Sequence, residues 1–173
     1  MSLERQPTLD AGCPVEKAIE VAVRFHRGQR DKGGEAYILH PLRMMLQTEA
    51  PLVQQAAVLH DVLEDTAATN QDLVDAGVSP AAIEAVQLLT HRSDLSYTDY
   101  IIALKPNPVA RAAKLLDLRD NYRLDRVAFR EGSEAEDSER IQKYILTFRY
   151  LSDEIDEMAY RSRMELLHSP RIP

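Results

Sequence analysis

Tryptophan is absent from the 173-residue chain, and Phe and Tyr together supply 6% of it, so stacking platforms for single-stranded nucleic acid are scarce. The single cysteine, Cys13, excludes an internal disulfide framework and a Cys-rich zinc module. Positive charge is also short. Lys and Arg total 21 against 28 Asp and Glu, a net charge of −7, which argues against a general binder of phosphate backbones. No apolar run approaches the roughly 20 residues that a membrane span needs. The opening MSLERQPTLDAG carries Glu4 and Asp10 and no apolar stretch of signal-peptide type. The expected setting is the cytoplasm, with neither nucleic acid nor membrane as partner and with the oligomeric state left open.

What remains is an ordinary globular composition, 45% hydrophobic and 28% charged, which suits one domain. Prolines punctuate it at places where a helix tolerates them, because the first helical turn has no use for the missing N–H. Pro14, Pro41, Pro51, Pro80 and Pro106 or Pro108 each precede a helix-like stretch. After Pro14 the apolar positions fall at helical spacing until Gly28, and the glycine-rich run from Gly28 to Leu39 reads as a loop. Further helices are predicted from Pro41 to Glu49, from Pro51 to about Asp65 as one continuous central helix, and from Thr69 or Asn70 to Gly77. Ser79-Pro80 opens another through Leu89, and Ser96 starts one reaching Leu104. Later helices are expected from Pro108 to Leu124, from Asp137 to Leu151 and from Ser152 to Leu167. The acidic stretch 131–139 reads as a solvated loop or helix start. Strand-like alternation is nowhere sustained, so the fold is expected to be all-α. Residues 14–168 form its single domain, between an N-terminal tail, 1–13, and a C-terminal tail, 169–173.

Five histidines, at 26, 40, 60, 91 and 168, can be weighed one at a time. His60 opens the run HDVLED, in which Asp61, Glu64 and Asp65 are three and four residues apart and crowd one side of a helix. The turns before it are almost wholly apolar, so this acidic end is expected inside the protein, where unpaired charge demands a partner such as a divalent cation. His60 and Asp61 cannot complete a metal site alone. His26 lies beside a basic stretch containing Arg24, Arg27, Arg30 and Lys32. Asp117 sits among apolar neighbours in ARAAKLLDLRDN, where it either serves a site or pairs with Lys114 or Asn121 at helical spacing. No catalytic role is assigned to His91 or His168.

The order His26, then His60-Asp61, then Asp117 resembles the HD superfamily of metal-dependent phosphohydrolases. More narrowly, HRGQRDKGGEAYILHPL, AAVLHDVLEDT, VQLLT and AKLLDLRDN look like the hydrolase domain of the RelA/SpoT superfamily, in the same order and over about Val15 to Tyr150. With no room for a synthetase-sized second domain, the likeness is closer to the small alarmone hydrolases, such as the animal SpoT homologue. The resemblance implies an HD-domain helical bundle of about eight to ten helices. It implies His26, His60, Asp61 and Asp117 as metal ligands, with manganese the usual metal and other divalent transition metals compatible. Glu64 and Asp65 match the pair that activates the attacking water. Arg24, Arg30, Lys32, Tyr37 and Asn121 fall at or near substrate-binding positions, and His40, in the His-Pro element, is expected to organise the site.

The implied reaction is hydrolysis of the 3′-pyrophosphate of guanosine tetra- or pentaphosphate to GDP or GTP and pyrophosphate. The residue types suit it: imidazoles and carboxylates hold a cation that activates water, a carboxylate takes the proton, and guanidinium groups grip phosphate oxygens. The chain departs from the family at Asp31, where many members carry an arginine against the base. Two alternatives therefore stay open, another nucleotide substrate such as the 2′-phosphate of NADPH, and a nucleotide-binding HD module without turnover.

Overall fold

The computed structural model describes residues 13–31, 33–123 and 134–168. The expected tails, except Cys13, lie outside these residues, as do Lys32 and the first part of the acidic stretch. The described residues form ten helices: α1 (Pro14–Phe25), α2 (Leu39–Met45), α3 (Pro51–Leu59), α4 (Val62–Asp65), α5 (Asn70–Asp75), α6 (Pro80–Leu89), α7 (Tyr97–Leu104), α8 (Pro108–Asn121), α9 (Glu134–Leu151) and α10 (Glu157–His168). Extended pairing among them is limited to one isolated bridge between Arg30 and Ala36. The all-α expectation holds. None of these helices is long and apolar enough to cross a membrane.

Local chemistry sets the helix starts. Pro opens α1, α3, α6 and α8. The Glu16 carboxylate reaches back to the Cys13 N–H at 2.8 Å, while Thr69, Ser96 and Asn107 each accept from a backbone N–H in the first turn of the following helix. At the end of α5 the Val78 N–H returns to the Leu73 carbonyl, a closure that needs the left-handed turn at Gly77 (φ 79°).

Helix α3 is the centre of the molecule, packed against α1, α2, α6 and α8. Its residues Ala56, Ala57, Val58 and Leu59 have no exposed surface, and burying a side chain such as Leu59 contributes about 2 kcal/mol. Gln55, the buried polar residue of this helix, accepts from the Ser79 N–H and so ties α3 to the start of α6.

The expected continuous helix 51–65 is corrected here: it breaks at His60-Asp61. Asp61 has φ −103° and ψ 0°, outside helical values. Four residues then coil again as α4, with the Asp65 N–H on the Asp61 carbonyl at 2.8 Å. Apolar spacing runs unbroken through this point, which is why the pattern predicts one helix. The break accompanies side-chain chemistry, since Asp61 accepts a hydrogen bond from Tyr37 across the molecule.

Candidate metal centre

The break opens onto a cleft of about 1140 Å³, just above the usual span of about 300–1,000 Å³ for small-molecule sites. The loop after α1 brings Gln29, Arg30 and Tyr37 to it. Helix α2 contributes His40 and Arg43, the α3–α4 junction contributes Asp61, Glu64 and Asp65, and α8 contributes Asp117 and Asn121. Asp31, Gly33 and Glu35 of the loop, Arg123 and, from α9, Arg140 and Tyr144 form the remaining wall.

At its floor His40, His60 and Asp61 offer ligand atoms that all lie within 4.8 Å of one another. Asp117 joins them: its Oδ1 is 3.4 Å from His40 Nε2 and 3.8 Å from His60 Nε2. His60 Nε2 is buried without a hydrogen-bond partner, although it lies 2.9 Å from Asp61 Oδ2. The two atoms are close yet misaligned for a bond. Donors about 2.1 Å from a common ion stand roughly 3 to 4 Å apart, so these spacings are those of a coordination sphere. Imidazole and carboxylate donors in this arrangement fit a divalent metal.

Both imidazoles are prepared for it from behind. His60 Nδ1 donates to the Ala57 carbonyl at 3.0 Å, and His40 Nδ1 donates to Asp120 Oδ2 at 2.7 Å. His60 Nε2 is thereby left without a hydrogen-bond partner, whereas His40 Nε2 lies 3.4 Å from Asp117 Oδ1. Asp117 is braced on both sides, by Lys114 Nζ on Oδ2 at 2.7 Å and by Asn121 Nδ2 on Oδ1 at 2.5 Å. Thus both local pairings open to Asp117 in the sequence are made, and they hold it at the site.

Electrostatics follow from this crowding. Burial alone pushes the His60 imidazole down, but the Asp61 carboxylate overrides it and lifts the ring to about 9. Asp61 is pushed up by its own burial and pulled the other way by His60, to about 2. Lys114 and the histidines outweigh the burial of Asp117 and hold it well below the usual carboxylate range. Asp65 is raised by burial and then by Asp61.

The other predicted residues divide. His26 is buried and its Nδ1 donates to Gln29 Oε1 at 2.7 Å, with Nε2 unpartnered. Its ligand atoms do not belong to the close group around His60. His40, read in the sequence as organising the site, is in that group. Burial lowers His26 below an ordinary histidine. Tyr37 sets its ring 4.7 Å from that of His26, tilted by 47°, and spends its hydroxyl on Asp61. Glu64 accepts from the His91 N–H at 2.8 Å. Arg30 lines the cleft, but its guanidinium donates to the Gly34 carbonyl. Arg24 is exposed on α1 over the Phe25 ring and is not part of the cleft wall.

Four contributors escaped the sequence reading. Gln29 links His26 to the Asp65 carbonyl. Asp120 stands behind His40, and Arg43 and Arg140 bring guanidinium groups from α2 and α9. Asp120 had a findable signal, lying three residues after Asp117 and hence on the same side of α8.

No family model matches the chain. It is 32% identical over 148 residues to a GTP pyrophosphokinase of Streptomyces coelicolor, an alignment covering 75% of this chain and 17% of that protein. It is 30% identical over 120 residues to a guanosine-3′,5′-bis(diphosphate) 3′-pyrophosphohydrolase of Aquifex aeolicus, covering 63% of this chain and 17% of the relative. The chain belongs to the RelA/SpoT family as an HD domain. It spans about a sixth of the length of these relatives. A solved structure of a metazoan ortholog of SpoT, a protein that hydrolyzes ppGpp, shares the fold of this RelA/SpoT-type domain with a TM-score of 0.57 at 19% identity, over 94% of this chain and 99% of that one.

Proposed function

We propose that residues 14–168 act as one HD domain that hydrolyses the 3′-pyrophosphate of guanosine tetra- or pentaphosphate, giving GDP or GTP and pyrophosphate. The observation that carries this reading is the convergence of His40, His60, Asp61 and Asp117 at the floor of a cleft whose wall presents Arg43, Arg123 and Arg140. The ligand set proposed is that of the family likeness, His26, His60, Asp61 and Asp117: His26 Nε2, like His60 Nε2, is buried with no hydrogen-bond partner, whereas His40 lies against Asp117 and Asp120. His26 Nδ1 is steadied by Gln29, which donates in turn to the Asp65 carbonyl.

A divalent metal at this point, manganese by the family likeness, supplies a Lewis acid that polarises a phosphoryl oxygen and acidifies water. Asp65, raised by burial and by Asp61, takes the proton of the attacking water. Glu64 keeps one oxygen on the His91 amide and orients the water with the other. The water oxygen bonds to phosphorus, and the ribose 3′ oxygen leaves and takes up a proton. The wall arginines grip the remaining phosphates through paired N–H donors. The substrate is a small nucleotide, and the setting is the cytoplasm.

A second reading is favoured by Asp31. Its Oδ1 accepts from the Gly33 and Glu35 N–H groups at 2.9 and 3.0 Å, so this position builds a turn instead of offering a guanidinium to a base. Another phosphorylated nucleotide, such as NADPH carrying its 2′-phosphate, is then the substrate. The deciding experiment measures pyrophosphate release from guanosine tetraphosphate by chelator-treated protein with and without manganese, beside phosphate release from NADPH and a simple phosphomonoester, with Asp61→Ala as control. Manganese-dependent pyrophosphate release is expected. Phosphate from NADPH alone establishes the second reading, and turnover unchanged in Asp61→Ala overturns both.

A further inference from the structure

The two oxygens of Asp117 meet different surroundings. Oδ1 is the one turned toward His60, 3.8 Å from its Nε2, and it accepts from Asn121 at 2.5 Å. Oδ2 is taken by the Lys114 ammonium at 2.7 Å. Lys114 stands three residues earlier on α8, outside the cleft wall, with 14% of its side chain exposed. Its Nζ lies 5.6 Å from the ring centre of the buried Tyr100, whose hydroxyl is spent on the Leu89 carbonyl at 2.6 Å. The ammonium thus has an aromatic face on one side and one carboxylate oxygen on the other. A cation so far withdrawn from water has given up hydration that a paired charge must replace, so this contact is held firmly. Nothing in the proposed reaction uses it.

We propose that Lys114 is a positioning residue that keeps Asp117 Oδ2 occupied, so that Asp117 offers a divalent cation Oδ1 alone. A carboxylate can bind such an ion through one oxygen or through both. With one atom from each of His26, His60, Asp61 and Asp117, a six-coordinate ion such as manganese keeps two positions for water and a phosphoryl oxygen. Were Oδ2 released, Asp117 could close on the ion with both oxygens and take one of those two positions, at a cost in turnover and not in affinity. Lys114 acts through Asp117 and touches neither substrate nor cation. The inference rests on the metal reading above.

The test uses the whole chain, stripped of metal and then titrated with manganese. Calorimetry gives the affinity, and the relaxation of water protons by the bound ion counts the waters in direct contact with it. Lys114→Met keeps the apolar stem and removes the charge. It is expected to bind manganese within about threefold of wild type and to lose about half of the relaxation enhancement, one water of two. Its kcat should fall about 10- to 100-fold with KM little changed. Lys114→Arg, which returns a donor to Oδ2, should recover most of both. In wild type the Lys114 ammonium protons are expected to exchange slowly with water, in the metal-free and the zinc-loaded chain alike. A folded Lys114→Met with unchanged water relaxation overturns the inference. So do wild-type ammonium protons that exchange freely once zinc is bound, a readout that needs no variant to fold. Manganese binding undiminished in Asp61→Ala instead overturns the metal site itself, so the two failures are distinguishable.

Discussion

The floor of the cleft and the loop after α1 both carry polar groups, and they use them differently. At the floor the polar side chains are mounted on helices or their junctions and steadied from behind: His60 by the Ala57 carbonyl, His40 by Asp120, Asp117 by Lys114 and Asn121. In the loop the charged groups hold one another's backbone. Arg30 donates to Gly34, and Asp31 accepts from Gly33 and Glu35. Residues fixed by the core are available for chemistry, whereas residues that must build their own turn have little left for a ligand.

The largest effect expected from breaking this contrast comes at the floor. Asp61→Ala removes a carboxylate that no neighbour replaces, and metal-dependent pyrophosphate release should fall by at least about 100-fold. Circular dichroism should show helix content unchanged. Next in size is the support beneath the floor. Leu59→Ala leaves a cavity in the helix that touches four others, and urea unfolding should show a loss of about 2–5 kcal/mol.

The contrast sharpens among the arginines. Arg43→Gln and Arg140→Gln should each raise KM about tenfold, the effect of one lost charge-assisted bond to phosphate. Arg30→Gln should move it by less than about threefold, because Arg30 sits on the loop, whereas Arg43 and Arg140 are steadied on helices by Asp120 and Asp137. Steady-state kinetics on the three variants decides whether recognition lies with the helices or with the loop.

The smallest effect is one of pH, and it follows from His60. Its folded value, about 9, stands above the ordinary 6.5 because of Asp61. In chelator-treated protein the proton on this ring therefore adds stability that is fully present below 6.5 and is lost as pH rises through 9. Tm of the metal-free chain should decline over that interval, and His60→Gln should flatten the slope. His26, depressed by burial, acts on the other side: stability is lost as pH falls below 6.5. A cation that takes the His60 nitrogen displaces the proton, so the Tm gain on adding manganese should grow as pH rises.

Much of this was legible in the residues alone. Pro after a cap at 14, 80 and 108, Ser96 before its helix, and the apolar run 56–59 marked the elements and the central helix. HDVLED and Asp117 marked the floor. The break at His60-Asp61 was not legible, because apolar periodicity continues across it and the hydrogen bond that accompanies it comes from Tyr37, distant in the chain. Nor was the placing of His40 against both Asp117 and Asp120, partners that only the folded chain brings alongside. The arginines of α2 and α9 were missed because a local basic run at 24–32 drew attention to charge density in sequence instead of in space.

The short α4 carries a consequence of its own. Four residues make too few internal bonds to persist unaided, and this segment is moored at two ends. Gln29 donates to the Asp65 carbonyl from one side, and the His91 amide donates to the Glu64 carboxylate from the other. The two acids that would handle the water thus sit on a span slung between the loop after α1 and the loop after α6. Slackening at either mooring detunes both acids together, so distant changes around Gln29 or His91 reach the water-handling step without touching substrate or cation.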